Sequence, residues 1–259
     1  MTDLRFTLFD WWLYMPVEVN GKETFAHLDT GARQCRVTEA FAQGLELKGE
    51  KDAFGAFGQY KLKMVELEQL TFLGRGFKNL PASVIGHEEM FSGLPFKVDV
   101  VLSGDVILAE PIVFDFRMQT MNKQSADGLD RLATQPLDTS SGLPFFSLQG
   151  GRELNAVFDL GAGNTVIDQE CLKDFRAAEK LFEVPVNNAL GGDRLLTFFN
   201  VGTAKFGDYK LRLEATALDL SGLSSAVGKK IDLIFGVNSM MQGRWFLDKA
   251  AQTVGFTPY

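Results

Sequence analysis

The chain has 259 residues, of which 46% are hydrophobic, and a formal net charge of −7 with a pI near 5.0. This length and composition allow two packed cores and exclude a globally disordered chain. The acidic balance, without a run of five basic residues, argues against a nucleic-acid partner. No apolar stretch reaches the roughly 20 residues that a bilayer requires, so no membrane span is expected.

The residues that usually build metal and nucleophile sites are scarce. The chain has only two cysteines, Cys35 and Cys171, and two histidines, His27 and His87. Neither a disulfide framework nor a zinc motif can be formed from them, and we expect no metal and no cofactor. No leader is visible at the N-terminus, which predicts a cytoplasmic protein as written, or a periplasmic or secreted one if a leader was removed.

The first part of the chain predicts a hairpin that leads into an acidic turn. Apolar and aromatic residues over 6–19 end at Asn20-Gly21, a dipeptide typical of two-residue hairpins. The returning strand over 24–28 delivers Asp29 onto Thr30-Gly31-Ala32. A further strand over 35–37 and a short helix opened by Thr38 follow.

The middle of this half predicts strands over 62–73 and 84–85, preceded by a glycine-rich stretch over 54–58. Glycine inside an extended segment marks a turn or a close backbone approach. Gly55 and Gly58, with Tyr60 as a contact residue, are candidates for a flap over a cleft. A plain hairpin tip is the alternative.

The second half repeats this order. A strand over 145–148 turns at 149–151, and a strand over 154–158 delivers Asp159 onto Leu160-Gly161-Ala162. A strand over 165–167 and a helix opened by Asp168 come next, and strands are predicted over 195–206 and 211–218.

Two blocks of sequence therefore occur twice. Residues 26–32 return as 156–162, 130 positions later, and residues 98–105 match 231–238 without gaps at an offset of 133. A single Asp-x-Gly-Ala would be weak evidence. Two coaligned blocks with similar internal spacing indicate a duplicated unit.

The repeat predicts the domain organisation. In the register of the second block, Asp115 meets Asp248, and both are interpreted as structural turn residues. We expect an N-terminal lobe over 1–121 and a C-terminal lobe over 143–259. The polar, turn-rich stretch over 122–142 is the predicted linker.

At these residues the chain resembles the retropepsin-like and pepsin-like aspartic proteases. The resemblance rests on an apolar strand followed by Asp-Thr-Gly-Ala or Asp-Leu-Gly-Ala, and on the later segments 101–105 and 234–238. It implies a mainly β fold with two similar closed barrel-like lobes, related by a pseudo-two-fold axis with a cleft between them. Because both lobes lie in one chain, a monomer is plausible.

The resemblance implies an aspartic endopeptidase that acts on extended polypeptides. Asp29 and Asp159 would be catalytic, one from each lobe, and would activate a water molecule between them. Two carboxyls at hydrogen-bond distance cannot both ionise cheaply, so the pair holds one proton. The residues that would support the catalytic loops are Thr30, Gly31, Ala32, Leu160, Gly161 and Ala162.

Two residues depart from the family pattern. Leu160 occupies the position of a hydroxyl that in the family crosses the dyad axis, and Ser103 replaces an expected glycine. Both changes threaten the geometry of the site. The alternative function is therefore a degenerate protease that binds peptides without cutting them. A purely structural two-lobe domain is a third reading, which leaves the aspartate pair unexplained.

Overall fold

The computed structural model describes residues 4–55, 58–85, 91, 93–124, 129–175, 178–187 and 193–259. At 53–55, 58–60, 184–187 and 193–195 only the backbone is described. This part of the chain forms mainly β-structure, with two closed six-stranded barrels and one open six-stranded sheet. The predicted fold class is confirmed.

The first barrel closes in the order β3-β4-β9-β5-β8-β7, with β7 pairing back to β3. The barrel closes around a core because its strands bury alternate side chains: in β7, Val65 and Leu67 point inward while Glu66 and Glu68 face solvent. Two short helices follow β5 and β9. The elements are β2 (Thr7–Phe9), β3 (Trp12–Val19), β4 (Lys22–Asp29), β5 (Cys35–Thr38), α1 (Glu39–Ala42), β6 (Gly49–Gly55), β7 (Gly58–Phe72), β8 (Arg75–Ile85), β9 (Val98–Ser103) and α2 (Gly104–Ile107).

The second barrel has the same topology, in the order β13-β14-β19-β15-β18-β17, and closes through β13 and β17. Strand β18 alternates in the same way, with Leu211, Leu213 and Ala215 fully buried. The elements are β13 (Phe145–Gln149), β14 (Glu153–Phe158), β15 (Thr165–Asp168), a 3-10 helix (Gln169–Asp174), β16 (Glu179–Asn187), β17 (Asp193–Phe206), β18 (Tyr209–Leu218), α3 (Ser221–Val227), β19 (Leu233–Phe235) and α4 (Val237–Met240).

The open sheet joins the two lobes. Its order is β1-β11-β10-β20-β21-β12, and β10 of the first lobe pairs antiparallel with β20 of the second. Within the stretch predicted as a linker, β12 pairs with β21 at the edge of this sheet. The strands are β1 (Leu4–Arg5), β10 (Ile112–Asp115), β11 (Thr120–Lys123), β12 (Ala133–Pro136), β20 (Gly243–Asp248) and β21 (Thr253–Pro258).

The hairpins β10–β11 and β20–β21 turn in the same way. The Asp115 carboxylate accepts from the amide three residues later at 2.9 Å, and the Asp248 carboxylate does the same at 2.8 Å. Gln119 and Gln252 both adopt positive φ, at 52° and 50°. The two aspartates are structural turn residues, as predicted, because each satisfies local backbone donors.

One hydrophobic core runs through both lobes and the sheet between them. Phe114 of β10, Phe158 of β14 and Trp245 of β20 all belong to it and are essentially inaccessible to solvent. Phe158 and Trp245 meet edge to face, with their ring centroids 5.5 Å apart. The cysteines Cys35 and Cys171 are free and buried in the same core.

Local signals in the sequence produced the expected structure at two turns. Asn20 and Gly21 both have positive φ and connect β3 to β4 as a two-residue turn. The Thr38 hydroxyl accepts from the Phe41 amide at 3.2 Å and caps α1. Across the described ranges, the helices are too short or too polar to cross a membrane.

Candidate active site

The two aspartates stand at equivalent points of the two barrels. Asp29 ends β4, which runs parallel to β9, and Asp159 follows β14, whose neighbour is β19. Each aspartate begins a tight turn. The Asp29 carbonyl accepts from the Ala32 amide at 3.2 Å, and the Asp159 carbonyl accepts from the Ala162 amide at 3.3 Å. Parallel strand neighbours therefore deliver both carboxyls to the same end of their barrels.

The fold brings these carboxyls into contact. The carboxyl of each aspartate packs against the glycine that follows the other aspartate, and both residues are half-buried. The Asp159 Oδ1 atom also accepts two backbone amides, one from each lobe, Gly161 at 2.8 Å and Gly31 at 3.1 Å. Burial, and then the charge of Asp29, raise the pKa of Asp159 well above the ordinary range of a carboxyl, although the two amides oppose this shift.

The glycines of both loops are required by this close approach. A Cβ atom at Gly31 would lie 2.5 Å from Asp159 Oδ2, and one at Gly161 would lie 2.4 Å from Asp29 Cγ. No side chain fits at these distances. Each lobe thus provides a bare backbone surface against which the carboxylate of the other lobe packs.

The Thr30 hydroxyl fastens the two loops to each other through two hydrogen bonds. Its buried hydroxyl donates to the Phe158 carbonyl at 2.6 Å and accepts from the Leu160 amide at 2.9 Å. Leu160 has no hydroxyl to return and instead packs its fully buried side chain into the core. The bond that crosses from the first lobe is therefore present, and its reciprocal is replaced by apolar packing.

The segments behind the loops hold them in the same way despite the exchange of Ser103 for glycine. The Ala32 carbonyl accepts from the Gly104 amide at 3.1 Å, and the Ala162 carbonyl accepts from the Val237 amide at 2.9 Å. Ser103 itself is buried, with its hydroxyl 3.4 Å from Cys35 Sγ. This supporting bond is therefore kept in both lobes.

A polar network that the sequence reading did not identify supports the second loop. The Asn238 Oδ1 atom accepts from both the amide and the hydroxyl of Thr165 at 2.9 Å. The Thr165 hydroxyl in turn accepts from the Gly236 amide at 3.1 Å and contacts the Ser239 hydroxyl at 2.7 Å. The signal available was the alignment of Asn238 with Asp105 in the second repeated block.

The turns that begin each barrel also reach across to the opposite lobe. The turn at Trp11 and Trp12 packs on Gly163, where a Cβ atom would meet Trp11 Cβ at 3.1 Å. In the other direction Arg33 lies against Gly142 and donates to the Val227 carbonyl at 3.5 Å. These contacts, too, were not anticipated from the sequence.

The flap candidates lie on the β6–β7 hairpin. Gly55 pairs with Gly58 at its tip, residues 56–57 are outside the described residues, and so is the side chain of Tyr60. Nearer its base, β6 contacts helix α3 of the second lobe. A role of Gly55, Gly58 and Tyr60 as a flap remains a prediction.

In the described ranges, no three His, Cys, Asp or Glu residues are grouped as metal ligands would be. The carboxyl pair is instead surrounded by backbone amides and carbonyls. This arrangement can hold a proton between two carboxyls and present them to a substrate in the cleft.

Comparison with known families agrees with this geometry. A family model described as aspartyl protease matches residues 15–104, which span the Asp29 loop and the β9 segment that supports it. No curated protein sequence matches the chain. The second lobe is related to the first by its identical barrel topology and its own Asp-x-Gly-Ala loop. The family match covers about a third of the chain and lies in the first barrel.

Proposed function

We propose that this protein is an aspartic endopeptidase whose catalytic residues are Asp29 and Asp159. The observation that carries the proposal is the close approach of the two carboxyls, each packed on the glycine loop of the other, with Asp159 Oδ1 held by one amide from each lobe. The structural aspartate Asp248, by contrast, accepts from an amide of its own turn. The match of residues 15–104 to the aspartyl protease family model gives independent support.

The mechanism follows from the shared proton. Because the pKa of Asp159 is raised, we assign the proton of the pair to Asp159 and the charge to Asp29. Asp29 then takes a proton from the attacking water, while Asp159 donates its proton to the developing oxyanion of the peptide carbonyl. The proton of the pair then lies on Asp29, which gives it to the leaving amine while Asp159 takes a proton back from the tetrahedral diol.

The substrate in this proposal is an extended polypeptide lying in the cleft between the lobes. The β6–β7 hairpin, which contacts α3 across the cleft, is the element suited to cover it. Residues 1–121 and 143–259 would be the two protease lobes, with 122–142 between them. Since one chain supplies both aspartates, the active unit needs no second copy.

The competing function is peptide binding without cleavage, and it is favoured by one observation. Leu160 has no hydroxyl, so the hydroxyl bonds that Thr30 makes to the second loop are not returned from the equivalent position. A loop held from one side only would fix the relative position of the two carboxyls less precisely. The two hydrogen bonds of Thr30 argue against this, because they hold the backbone on both sides of Asp159, at Phe158 and Leu160.

The test is cleavage of an unfolded protein by the wild type and by isosteric variants. Asp29→Asn and Asp159→Asn should each abolish hydrolysis, since neither carboxyl can replace the other. Asp208→Asn, in an exposed turn between β17 and β18, is the matched control and should cleave normally. Hydrolysis that survives both active-site variants would disprove the mechanism. Peptide binding without cleavage by the wild type would favour the degenerate protease.

A further inference from the structure

A cavity of about 150 Å³ opens beside the carboxyl pair on the side of the first lobe. It begins at Gly31, whose amide binds Asp159, and extends between strand β6 and helix α3 of the opposite lobe. An apolar cavity of about this volume in another protein holds benzene, so one side chain of five or six heavy atoms fits. The cavity is therefore sized for a single substrate side chain next to the reacting peptide.

The lining of this cavity is positively charged. Arg33, Arg36 and Lys51 contribute three cations, against the single carboxylate of Asp52. Within the described ranges, no carboxylate lies within ion-pair distance of any of the three cations. Such a concentration of unpaired positive charge is unexpected in a chain with a net charge of −7.

The strand register places the side chains of Arg36 and Ser83 on the same side of the sheet, facing the cavity. Arg36 of β5 lies directly beside Ser83 of the parallel strand β8. The neighbours of Arg36, Cys35 and Val37, point into the barrel, so Arg36 points out of it toward the cavity. Ser83 lies between the buried residues of β8 and points the same way.

Ser83 is the second, independent sign of a ligand. Its side chain is fully buried and lines the cavity, yet its hydroxyl has no hydrogen-bond partner in the described part of the chain. Buried polar groups almost always have partners. A hydroxyl donor beside an unpaired guanidinium is an arrangement that accepts a carboxylate, which can take several donors at once.

We propose that this cavity is a specificity subsite for a carboxylate of the peptide substrate, bound by Arg36 and Ser83 with Arg33 and Lys51 at its mouth. The inference rests on the proposed peptidase function and adds to it a preference for acidic peptides. The carboxylate comes either from an Asp or Glu side chain near the cleaved bond or from the C-terminus of a peptide.

The experiment uses one peptide that the wild type cleaves, prepared with Glu or the isosteric Gln at each position in turn and with an amidated C-terminus. At one position Glu should give a kcat/KM at least about 10-fold higher than Gln, as one charge-assisted hydrogen bond allows. Arg36→Gln and Ser83→Ala should reduce this ratio, and Arg36→Lys should retain part of it. Arg212→Gln, at an exposed position of β18 away from the cavity, should leave the ratio unchanged.

Two further arms separate the possible failures. If Gln peptides with a free C-terminus are preferred over amidated ones in the same Arg36-dependent way, the subsite binds a terminal carboxylate. In parallel, binding of fluorescent Glu and Gln peptides to the Asp29→Asn variant is measured by anisotropy. Binding that prefers Glu and requires Arg36, without cleavage by the wild type, would refute the peptidase function and leave the subsite standing.

Cleavage with equal kcat/KM for Glu and Gln at every position, and for free and amidated C-termini, would overturn the subsite and leave the peptidase function standing. A preference for Glu that survives in both Arg36→Gln and Ser83→Ala would also overturn it, because the carboxylate would then bind elsewhere. Absence of both cleavage and Arg36-dependent binding would overturn both proposals.

Discussion

A methyl group added at Gly161 would test the carboxyl pair directly. The Cβ atom of Gly161→Ala would lie 2.4 Å from Asp29 Cγ, whereas ordinary contacts begin at 3.4 Å. The loop or the carboxyl must therefore move by about 1 Å. Misplacement of a reacting group by about 1 Å can cost roughly 100-fold in rate. Overpacking of this kind also costs about 1–3 kcal/mol of stability.

The assay is kcat/KM on a fluorogenic peptide, combined with thermal unfolding of the same samples. Gly161→Ala should lose about two orders of magnitude in kcat/KM while it remains folded at the assay temperature. Gly76→Ala is the control, because a Cβ atom there meets no atom within 4 Å and its φ is not in the left-handed region. If Gly161→Ala kept more than half of the wild-type kcat/KM, the reasoning from close approach would be refuted.

Three other changes probe the same site. Thr30→Val should lower the free energy of unfolding, measured in urea, by about 2–4 kcal/mol, because the Phe158 carbonyl and the Leu160 amide lose their buried partner. The control Thr30→Ser keeps the hydroxyl and should stay within about 1 kcal/mol of the wild type. Equal losses in the two variants would contradict the role of the hydroxyl. The pKa of Asp159 is raised in the folded state, so the folded protein holds this proton more tightly than the unfolded chain does. The wild type should therefore lose stability relative to Asp159→Asn as the pH rises from about 3.9, the unfolded pKa, through the raised pKa. A difference in Tm between the two proteins that does not change with pH would contradict the raised pKa. For the same reason the pH–rate profile should extend toward neutral pH, and an optimum confined below about pH 4 would show the assignment of the proton to be wrong.

The duplication was readable from the sequence because the residues that position the site recur at constant offsets. Asp29 and Asp159 each follow a buried strand, and the two repeated blocks became the strand β4 or β14 with its parallel neighbour. Apolar runs before Gly-containing turns leave little choice of secondary structure. The pairing of the lobes then followed from the resemblance.

Strands with few buried residues could not be predicted from the sequence. β8 covers Arg75–Ile85, but only 84–85 was predicted, because most residues in its first half face solvent and show no apolar alternation. β6 and β16 are outer strands beyond the closed barrels and were missed for the same reason. The prediction over 62–73, by contrast, lies almost wholly inside β7, where buried Val65 and Leu67 alternate with exposed glutamates.

Contacts between distant parts of the site were beyond the sequence as well. Nothing in the local pattern shows that the Trp11 turn packs on Gly163, or that Arg36 and Ser83 share one face of two parallel strands. Such proximity depends on strand register and on the angle between lobes, which single residues do not encode.

The unequal fastening of the two loops has a consequence for how such a protein can evolve. In a dimer of identical chains, any residue after the first aspartate occurs twice, so a leucine there would remove the hydroxyl from both sides at once. A fused chain separates the two positions: Thr30 keeps both cross-lobe bonds and Leu160 is free to fill the core. Joining the halves in one gene thus permits a division of labour that a symmetric ancestor could not sample by single substitutions.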